Sequence, residues 1–237
     1  MKLCIDSGNT RLKWGLHDGS TWHERAALAQ GDIAELAELL ARIEPSSVNI
    51  AHVAGPAIGQ QLSALLAPWQ ARCHWISSTA QAGGVINGYE NPAQLGVDRW
   101  CALIGARSLS TAPCLVVMCG TATTVDSLSR EGRFLGGLIL PGFELMRRSL
   151  ARDTAALPLA QGEHLAYPRR TDDAITSGCL EAQAGAIERA YRRLSASSQE
   201  TPVCLLSGGG AERLAPLLGI AYQQIDNLVL EGLRHLG

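Results

Sequence analysis

The sequence predicts an α/β fold built from two related halves. Short apolar runs with strand character alternate with amphipathic helical segments along all 237 residues, which is typical of α/β proteins. The order of strand, glycine turn and second strand that opens the chain begins again near residue 115. Because such self-similarity indicates an internal duplication, we expect two domains, 1–111 and 112–237, joined near Ser110–Pro113.

The first half opens with a hairpin. An apolar run predicts a strand at 2–6, and alternation of apolar and polar residues over 12–16 predicts a second strand. The dipeptide Asp18-Gly19 is a typical hairpin turn and leads to a third strand at 21–28. The remaining predicted elements are a helix at 32–43, a strand at 48–53, a helix at 57–67, a strand at 74–76, a glycine- and asparagine-rich loop at 82–91, and a helix from Pro92 to about Leu109.

The second half repeats this arrangement. It begins with the apolar run Leu115–Val117, and its turn Gly120-Thr121-Ala122 corresponds to Gly8-Asn9-Thr10. In both halves a second strand and a turn ending in glycine follow, at Gly19 and Gly132. The remaining predicted elements are a strand ending at Leu128, a strand at 133–140, a helix from about Pro141, a long helix at 171–194, a strand at 203–206, and a helix after Gly208-Gly209-Gly210.

The composition is that of an ordinary globular protein, with 46% hydrophobic and 18% charged residues. A net charge of -2 leaves no basic surplus for nucleic acid, so we expect no nucleic-acid partner. Because the apolar runs are too short to span a bilayer and Asp6 interrupts the N-terminal one, we expect no membrane partner and a cytoplasmic location. The seven cysteines show no CxxC spacing, which predicts reduced, buried thiols and no zinc site.

The glycine turns carry the predicted chemistry. Gly8 lets backbone amides approach a phosphate, and Asp6 at the strand end can hold magnesium through water. Lys13 on the next strand can reach a phosphate, although this turn alone favours a plain hairpin. Its repetition at Gly120, and a third turn at 208–210 that opens a helix, favour a nucleotide site.

These motifs, in their order along the chain, resemble the acetate and sugar kinase, Hsc70 and actin superfamily. The resemblance implies two duplicated RNase H-like domains of the actin-like ATPase type, with a cleft between them that takes ATP. The matching motifs are Asp6-x-Gly8-Asn9-Thr10-x-x-Lys13, Gly120-Thr121-Ala122 and Gly208-Gly209-Gly210.

One member family matches further. The segment Gly88-Tyr89-x-Asn91-Pro92-x-x-Leu95-Gly96-Val97-Asp98-Arg99-Trp100 resembles the substrate segment of type III pantothenate kinases. Three other blocks are similar to that family: Gly136-Gly137-x-Ile139-x-Pro141-Gly142, Thr171-x-x-Ala174-Ile175-x-x-Gly178, and the ending Leu228–Leu233.

The resemblance implies a role for each matching residue. The ATP-binding residues would be Asp6, Ser7, Gly8, Asn9, Thr10, Arg11, Leu12, Lys13 and Thr121, with Asp6 holding Mg²⁺ indirectly. The pantothenate-binding residues would be Tyr89, Gly96, Val97, Asp98, Arg99 and Thr171. Asp98 would be the general base, and an attacking alcohol does need its proton removed or its oxygen oriented. Arg99 offers a bidentate partner for the substrate carboxylate, although outside this block the two residues would fit a surface pair on a helix.

Met118 departs from the family pattern. Family members usually have aspartate there, mirroring Asp6 and associated with potassium or ammonium. A thioether is a poor ligand for a hard cation, which puts the monovalent-cation requirement in doubt. Asp126, five residues past Thr121, is a candidate to supply negative charge nearby, but its position favours a surface carboxylate close to the turn.

The predicted function is ATP-dependent phosphorylation of pantothenate to 4′-phosphopantothenate, the first step of coenzyme A biosynthesis. One alternative is a catalytically weak relative with a regulatory or transcription-accessory role, which Met118 favours. Another is a superfamily kinase acting on a sugar or a short acid. The family resemblance also implies a homodimer, and we predict its interface on the apolar face of the 171–194 helix formed by Ile175, Leu180, Ala184, Ile187 and Leu194. The alternative is that this face packs only within its own chain.

Overall fold

The computed structural model describes residues 1–237, which divide into two compact units. Unit 1 comprises Met1–Leu109, Gly132–Phe134 and Asn227–Gly237, and unit 2 comprises Ser110–Glu131 and Leu135–Asp226. The first change of unit lies close to the predicted boundary between 111 and 112. The predicted domain 112–237 differs from unit 2 because the last segment of the chain packs in unit 1.

Unit 1 is organised around a five-stranded sheet of order β3-β2-β1-β4-β5, in which β1 runs antiparallel to β2 and parallel to β4. Its strands are β1 (Lys2–Ser7), β2 (Arg11–His17), β3 (Trp22–Ala29), β4 (Ser47–His52) and β5 (Cys73–Trp75). Its helices are α1 (Leu36–Ala41), α2 (Pro56–Leu65), α3 (Val97–Leu109) and α7 (Leu228–Leu233). Side chains from α1 and α2 share one hydrophobic core with those of β1, β2 and β4.

The helices α3 and α7 pack against each other at two glycines. A Cβ atom at Gly105 would collide with the carbonyl oxygen of Leu228, and one at Gly232 with that of Cys101. Only residues without a side chain allow this backbone approach. The close packing explains why the final segment belongs to unit 1.

Unit 2 repeats the same topology, with the sheet order β10-β9-β8-β11-β12. Its strands are β8 (Cys114–Cys119), β9 (Ala122–Leu128), β10 (Phe134–Pro141), β11 (Val203–Ser207) and β12 (Tyr222–Gln224). Its helices are α4 (Phe143–Asp153), α5 (Thr171–Ser197) and α6 (Ala211–Leu214). Two sheets of identical strand order confirm the predicted α/β class and the predicted duplication.

Helix α5 covers one face of the second sheet. The predicted interface residues are all buried, and all of them except Ala184 belong to the core that this helix shares with β8 and β11: Ile175, Leu180, Ala184, Ile187 and Leu194. Thr123 on β9 also donates a 2.5 Å hydrogen bond to Gln183. The prediction that this apolar face forms a dimer interface was wrong, because the face packs against its own sheet.

Two local predictions also need correction. The predicted helix from Pro92 is a short 3₁₀ turn, Pro92–Gln94, and α3 begins only at Val97 because Leu95 adopts an extended conformation. The predicted loop at 82–91 contains part of a small hairpin formed by β6 (Gln81–Ala82) and β7 (Val85–Ile86). Gly83 and Gly84, both with positive φ, make its turn.

Six of the seven cysteines are buried, as predicted, and Cys73 is partly exposed. Burial raises the pKa of Cys4, Cys119 and Cys204 to about 12. No helix is long and apolar enough to cross a membrane.

Candidate active site

The turn between β1 and β2 brings Asp6 and Lys13 together. Asp6, which is 6% exposed, lies near the end of β1 and pairs with Lys13 across the antiparallel ladder. Directly opposed residues in such a ladder share one face, and Lys13 Nζ lies 3.8 Å from Asp6 Oδ2. The backbone N–H of Gly8 donates to the Arg11 carbonyl at 3.1 Å and closes the turn. The result is a buried carboxylate beside a half-buried ammonium group.

The surroundings of Asp6 favour its protonated form. Burial raises the pKa of Asp6 to about 6, and the charge of Asp98 acts in the same direction. Lys13 and the side chain of Asn227 oppose this rise in pKa. Asn227 was not predicted as a site residue, although an asparagine directly before a helical segment is an N-cap signal. Its side chain does cap α7 by accepting from the Leu230 N–H.

The other residues of the turn divide by exposure. Asn9, Thr10 and Arg11 are exposed, whereas Leu12 is fully buried in the hydrophobic core. Ser7 is fully buried as well, and its hydroxyl lies 3.0 Å from Nδ1 of His52. Nε2 of that ring lies 2.9 Å from the Gly55 carbonyl, which can only accept, so Nδ1 accepts from Ser7. The Ser7 side chain therefore holds β1 to the end of β4.

Asp98 lies in the first turn of α3. A Cβ atom at Gly96 would come within 2.7 Å of Asp98 Oδ1, so glycine leaves room for the carboxylate to fold back. The Trp100 N–H donates to the Gly96 carbonyl at 2.9 Å and begins the helix. A carboxylate is stabilised at this position by the partial positive charge of the helix start. Val97, between the two residues, is partly exposed.

Arg99 is buried within an aromatic cluster. It is 5% exposed, and its Nη1 donates to the Tyr89 hydroxyl at 2.8 Å. Its guanidinium carbon lies 5.6 Å from the ring centroids of both Tyr89 and Phe134, which stack at 5.5 Å. This position excludes the reading of Asp98-Arg99 as a surface pair.

Phe134 was not predicted as a site residue, because it arrives from a distant part of the chain. The Ile86 N–H donates to the Gly132 carbonyl at 2.8 Å, which fixes the short segment Gly132–Phe134 in unit 1. Asn87, also missed, accepts from the Tyr89 N–H at 3.1 Å and so orients the tyrosine.

In unit 2, three loops meet at the end of β8. The Gly120 N–H donates to the Ala122 carbonyl at 3.0 Å, which makes this turn one residue shorter than the Gly8 turn. The Gly142 N–H donates to the Thr121 carbonyl at 2.9 Å. Gly208, with φ of 100°, packs against the backbone of Cys119 where no Cβ atom would fit. The predicted contribution of a helix start after Gly210 is weak, because α6 has only four residues.

Met118 occupies the place that Asp6 has in unit 1. Met118 pairs with Thr124 on β9 and Ser207 on β11, as Asp6 pairs with Lys13 and Ala51. Asp126, predicted as a surface carboxylate, is instead fully buried. The correction follows from the register, since Asp126 lies inside β9 opposite Val116.

Thr171 lies in unit 2, whereas the other predicted pantothenate residues lie in unit 1. It is the first residue of α5 and lines a groove of about 540 Å³ together with Met146, Leu150 and Gly178.

Comparison with known proteins places the chain among kinases. A family model described as type III pantothenate kinase matches residues 2–193. A type III pantothenate kinase from Dechloromonas aromatica is 51% identical over 237 residues, covering 100% of this chain and 98% of that protein. Two solved structures share the fold. One, from Campylobacter jejuni, is provisionally described as a Baf family transcriptional activator (TM-score 0.63, 20% identity, 98% and 95% coverage). The other, from Sinorhizobium meliloti, is provisionally described as a 2-dehydro-3-deoxygalactonokinase (TM-score 0.61, 13% identity, 98% and 97% coverage).

Proposed function

The chain belongs to the type III pantothenate kinase family and phosphorylates pantothenate with ATP, and we propose which of its residues carry out that reaction. The regulatory alternative has no support, since the structural likeness to the Baf family protein is at 20% identity and concerns the fold alone. The alternative of a sugar or short-acid kinase is likewise not supported, because the matching family model is that of pantothenate kinases.

The observation that carries our proposal is that Asp98 and Asp6 both lie in unit 1, Asp98 in the first turn of α3 and Asp6 near the end of β1. The charge of Asp98 also acts on Asp6 and helps to raise its pKa. Asp6, beside the phosphate-binding turn, is suited to metal binding, and Asp98 is suited to activating the acceptor alcohol. Asp98 takes the proton from the pantothenate hydroxyl as that oxygen attacks the γ-phosphoryl group.

The β1–β2 turn binds the ATP phosphates in this proposal. Gly8 and the exposed residues that follow it present backbone and hydroxyl donors, and Lys13 adds a positive charge. Thr121, at the corresponding turn of unit 2, contacts the nucleotide. No group of three or more His, Cys, Asp or Glu side chains is placed to hold a metal ion. We propose that Asp6 would hold Mg²⁺ through water, together with the substrate phosphates, where the ion would neutralise phosphate charge.

We propose Tyr89, Gly96, Val97 and Arg99 of unit 1 as pantothenate-binding residues. Thr171 is proposed for the same role only from its match to the family pattern. Arg99 provides a buried positive charge for the carboxylate of the substrate, and Tyr89 fixes the guanidinium through its hydroxyl. Gly96 keeps the space that the Asp98 carboxylate occupies.

We further propose that the enzyme needs no monovalent cation, that it acts in the cytoplasm, and that it is a homodimer. Met118 offers no oxygen ligand at the position that corresponds to Asp6. For the dimer, the buried face of α5 is unavailable, so we place the interface on its exposed side. That side carries the small residues Ala174, Gly178, Ala182 and Gly185, all exposed, which permit close helix contact.

An assay of ATP consumption with pantothenate as acceptor tests the function, with glucose and acetate as control acceptors. We expect turnover with pantothenate and only background hydrolysis with the two controls. Equal turnover with glucose or acetate would assign the chain to another kinase activity, and none with any acceptor would favour the regulatory alternative.

A further inference from the structure

A polar pocket of about 270 Å³ lies in unit 1, away from the residues discussed above. We call it the His17 pocket, and its lining includes Lys2, His17, Asp18, Ser47, Arg234 and His235. Lys2 begins β1 and Asp6 lies near its other end, which separates them by roughly 13 Å at the rise of an extended strand. The His17 pocket is therefore distinct from the proposed active site.

The hydrogen bonds of His17 fix its tautomer. The backbone N–H of Gly19 donates to Nδ1 of His17 at 2.9 Å, so Nδ1 carries no proton. A neutral imidazole then carries its proton on Nε2. Burial, followed by the charge of Arg234, lowers the pKa of His17, in agreement with a neutral ring.

The Nε2–H group of His17 and the guanidinium of Arg234 converge. His17 Nε2 lies 3.4 Å from Arg234 Nη1, and a guanidinium nitrogen can only donate. His17 is 4% exposed, so its N–H group is a buried donor aimed at a second donor. Two such donors are both satisfied by one acceptor that contacts them together.

Lys2 adds a third donor to the same pocket. Its ammonium group donates to the carbonyls of Arg234 at 3.0 Å and Leu236 at 2.9 Å. An ammonium group has three N–H bonds, so one remains for a ligand. The same two bonds hold the ammonium group at the end of the segment that carries Arg234.

The carboxylates close to the pocket already have partners, and one of these partners is Nε of Arg234. Asp18 accepts from the backbone N–H groups of Ser20 and Thr21, each at 2.8 Å, and contacts His23 at 2.5 Å. Glu231 accepts from Trp22 Nε1 at 2.7 Å and lies 2.8 Å from Nε of Arg234. The third N–H of Lys2, the Nε2–H of His17 and the terminal guanidinium nitrogens of Arg234 therefore remain available to a ligand.

We propose that the His17 pocket binds a small oxyanion of the phosphate class, held by His17 Nε2–H, the Arg234 guanidinium and the Lys2 ammonium. A tetrahedral oxyanion offers several acceptor oxygens, and charge-assisted hydrogen bonds to arginine and lysine are the strong ones. The volume of the pocket suits an inorganic anion or a single phosphate group.

Nitrogen-15 NMR of the histidine side chains in the full chain, titrated with inorganic phosphate at constant ionic strength, tests this proposal. The His17 resonances are assigned by their loss in His17→Gln. We expect the Nε2–H tautomer before titration and a saturable shift of the His17 resonances with phosphate. The titration is carried out in Lys13→Gln, which weakens phosphate binding at the proposed ATP site and separates the two sites.

Arg234→Gln should weaken phosphate binding by about tenfold or more, since it removes a charge-assisted bond. Arg42→Gln is the matched control, because it removes the same charge from an exposed ion pair of unit 1 and should leave phosphate binding unchanged. A Nδ1–H tautomer would overturn the proposal, as would a shift reproduced by chloride alone or equal binding in Arg234→Gln. The tautomer of His17 is measured with Arg234 in place. That measurement therefore tests the proposal even if the Arg234→Gln variant is unstable.

Discussion

Arg99 donates a 2.8 Å hydrogen bond to the hydroxyl of Tyr89, and this bond holds a buried guanidinium at one place in the proposed pantothenate site. Tyr89→Phe removes the hydroxyl and keeps the ring that stacks on Phe134. We expect this variant to raise KM for pantothenate by about threefold to tenfold with little change in kcat, because it weakens positioning of a binding group. Steady-state kinetics with varied pantothenate measure both constants. An unchanged KM would show that the Tyr89 hydroxyl does not contribute to pantothenate binding.

The raised pKa of Asp6 predicts a pH-dependent stability. Between pH 3.8 and about 6, the folded chain holds a proton on Asp6 that the unfolded chain has lost. The contribution of Asp6 to the free energy of unfolding is therefore most favourable below pH 3.8 and is lost as the pH rises through 6. This rise in the pKa of Asp6 corresponds to a change of roughly 3 kcal/mol in the free energy of unfolding. Urea unfolding from pH 4 to 7 should show that Asp6→Asn gains stability relative to the wild type as pH rises. Parallel pH curves for the two proteins would contradict the shift.

Met118 predicts independence from monovalent cations. With methionine in the place that corresponds to Asp6, activity should change by less than about twofold on adding potassium or ammonium, because a thioether is a poor ligand for either. Met118→Asp should create a requirement for potassium. Potassium chloride is titrated against sodium chloride at fixed ionic strength and magnesium. Strong stimulation of the wild type would mean that other residues hold a cation.

The exposed side of α5 is the proposed homodimer interface. Light scattering at micromolar concentration should give a dimer mass for the wild type and a monomer mass for Gly178→Arg, whose side chain would enter the proposed helix contact. Ala196→Arg, exposed near the end of the same helix, is the matched control and should remain dimeric. A monomer mass for the wild type would exclude the dimer.

The sequence predicted features that depend on local pattern, and missed those that depend on packing. The paired glycine turns at Gly8 and Gly120 and the correspondence of Met118 with Asp6 follow from strand patterns that repeat in both halves. The contacts of Phe134 with Arg99 arise from a segment that crosses between the two units, which no local pattern encodes.

Two further predictions, for the apolar face of α5 and for Asp126, were wrong because the sequence did not show that these residues are buried. The apolar face of α5 fits an interface or a core equally well in sequence, and only the sheet beneath Ile187 decides between them. Asp126 was predicted as exposed because it follows the Gly120 turn closely in sequence, yet it is fully buried within β9.

The central claim is that Asp98 is the base of a pantothenate kinase, and the turnover of Asp98→Asn tests it most directly. We expect intact folding by circular dichroism, ATP binding within about twofold of the wild type, and a kcat lower by about a hundredfold or more, as loss of a general base implies. Asp32→Asn is the control, because it replaces an exposed carboxylate of the same unit with a carboxamide, and it should keep full turnover. Near-normal turnover of Asp98→Asn would contradict the account.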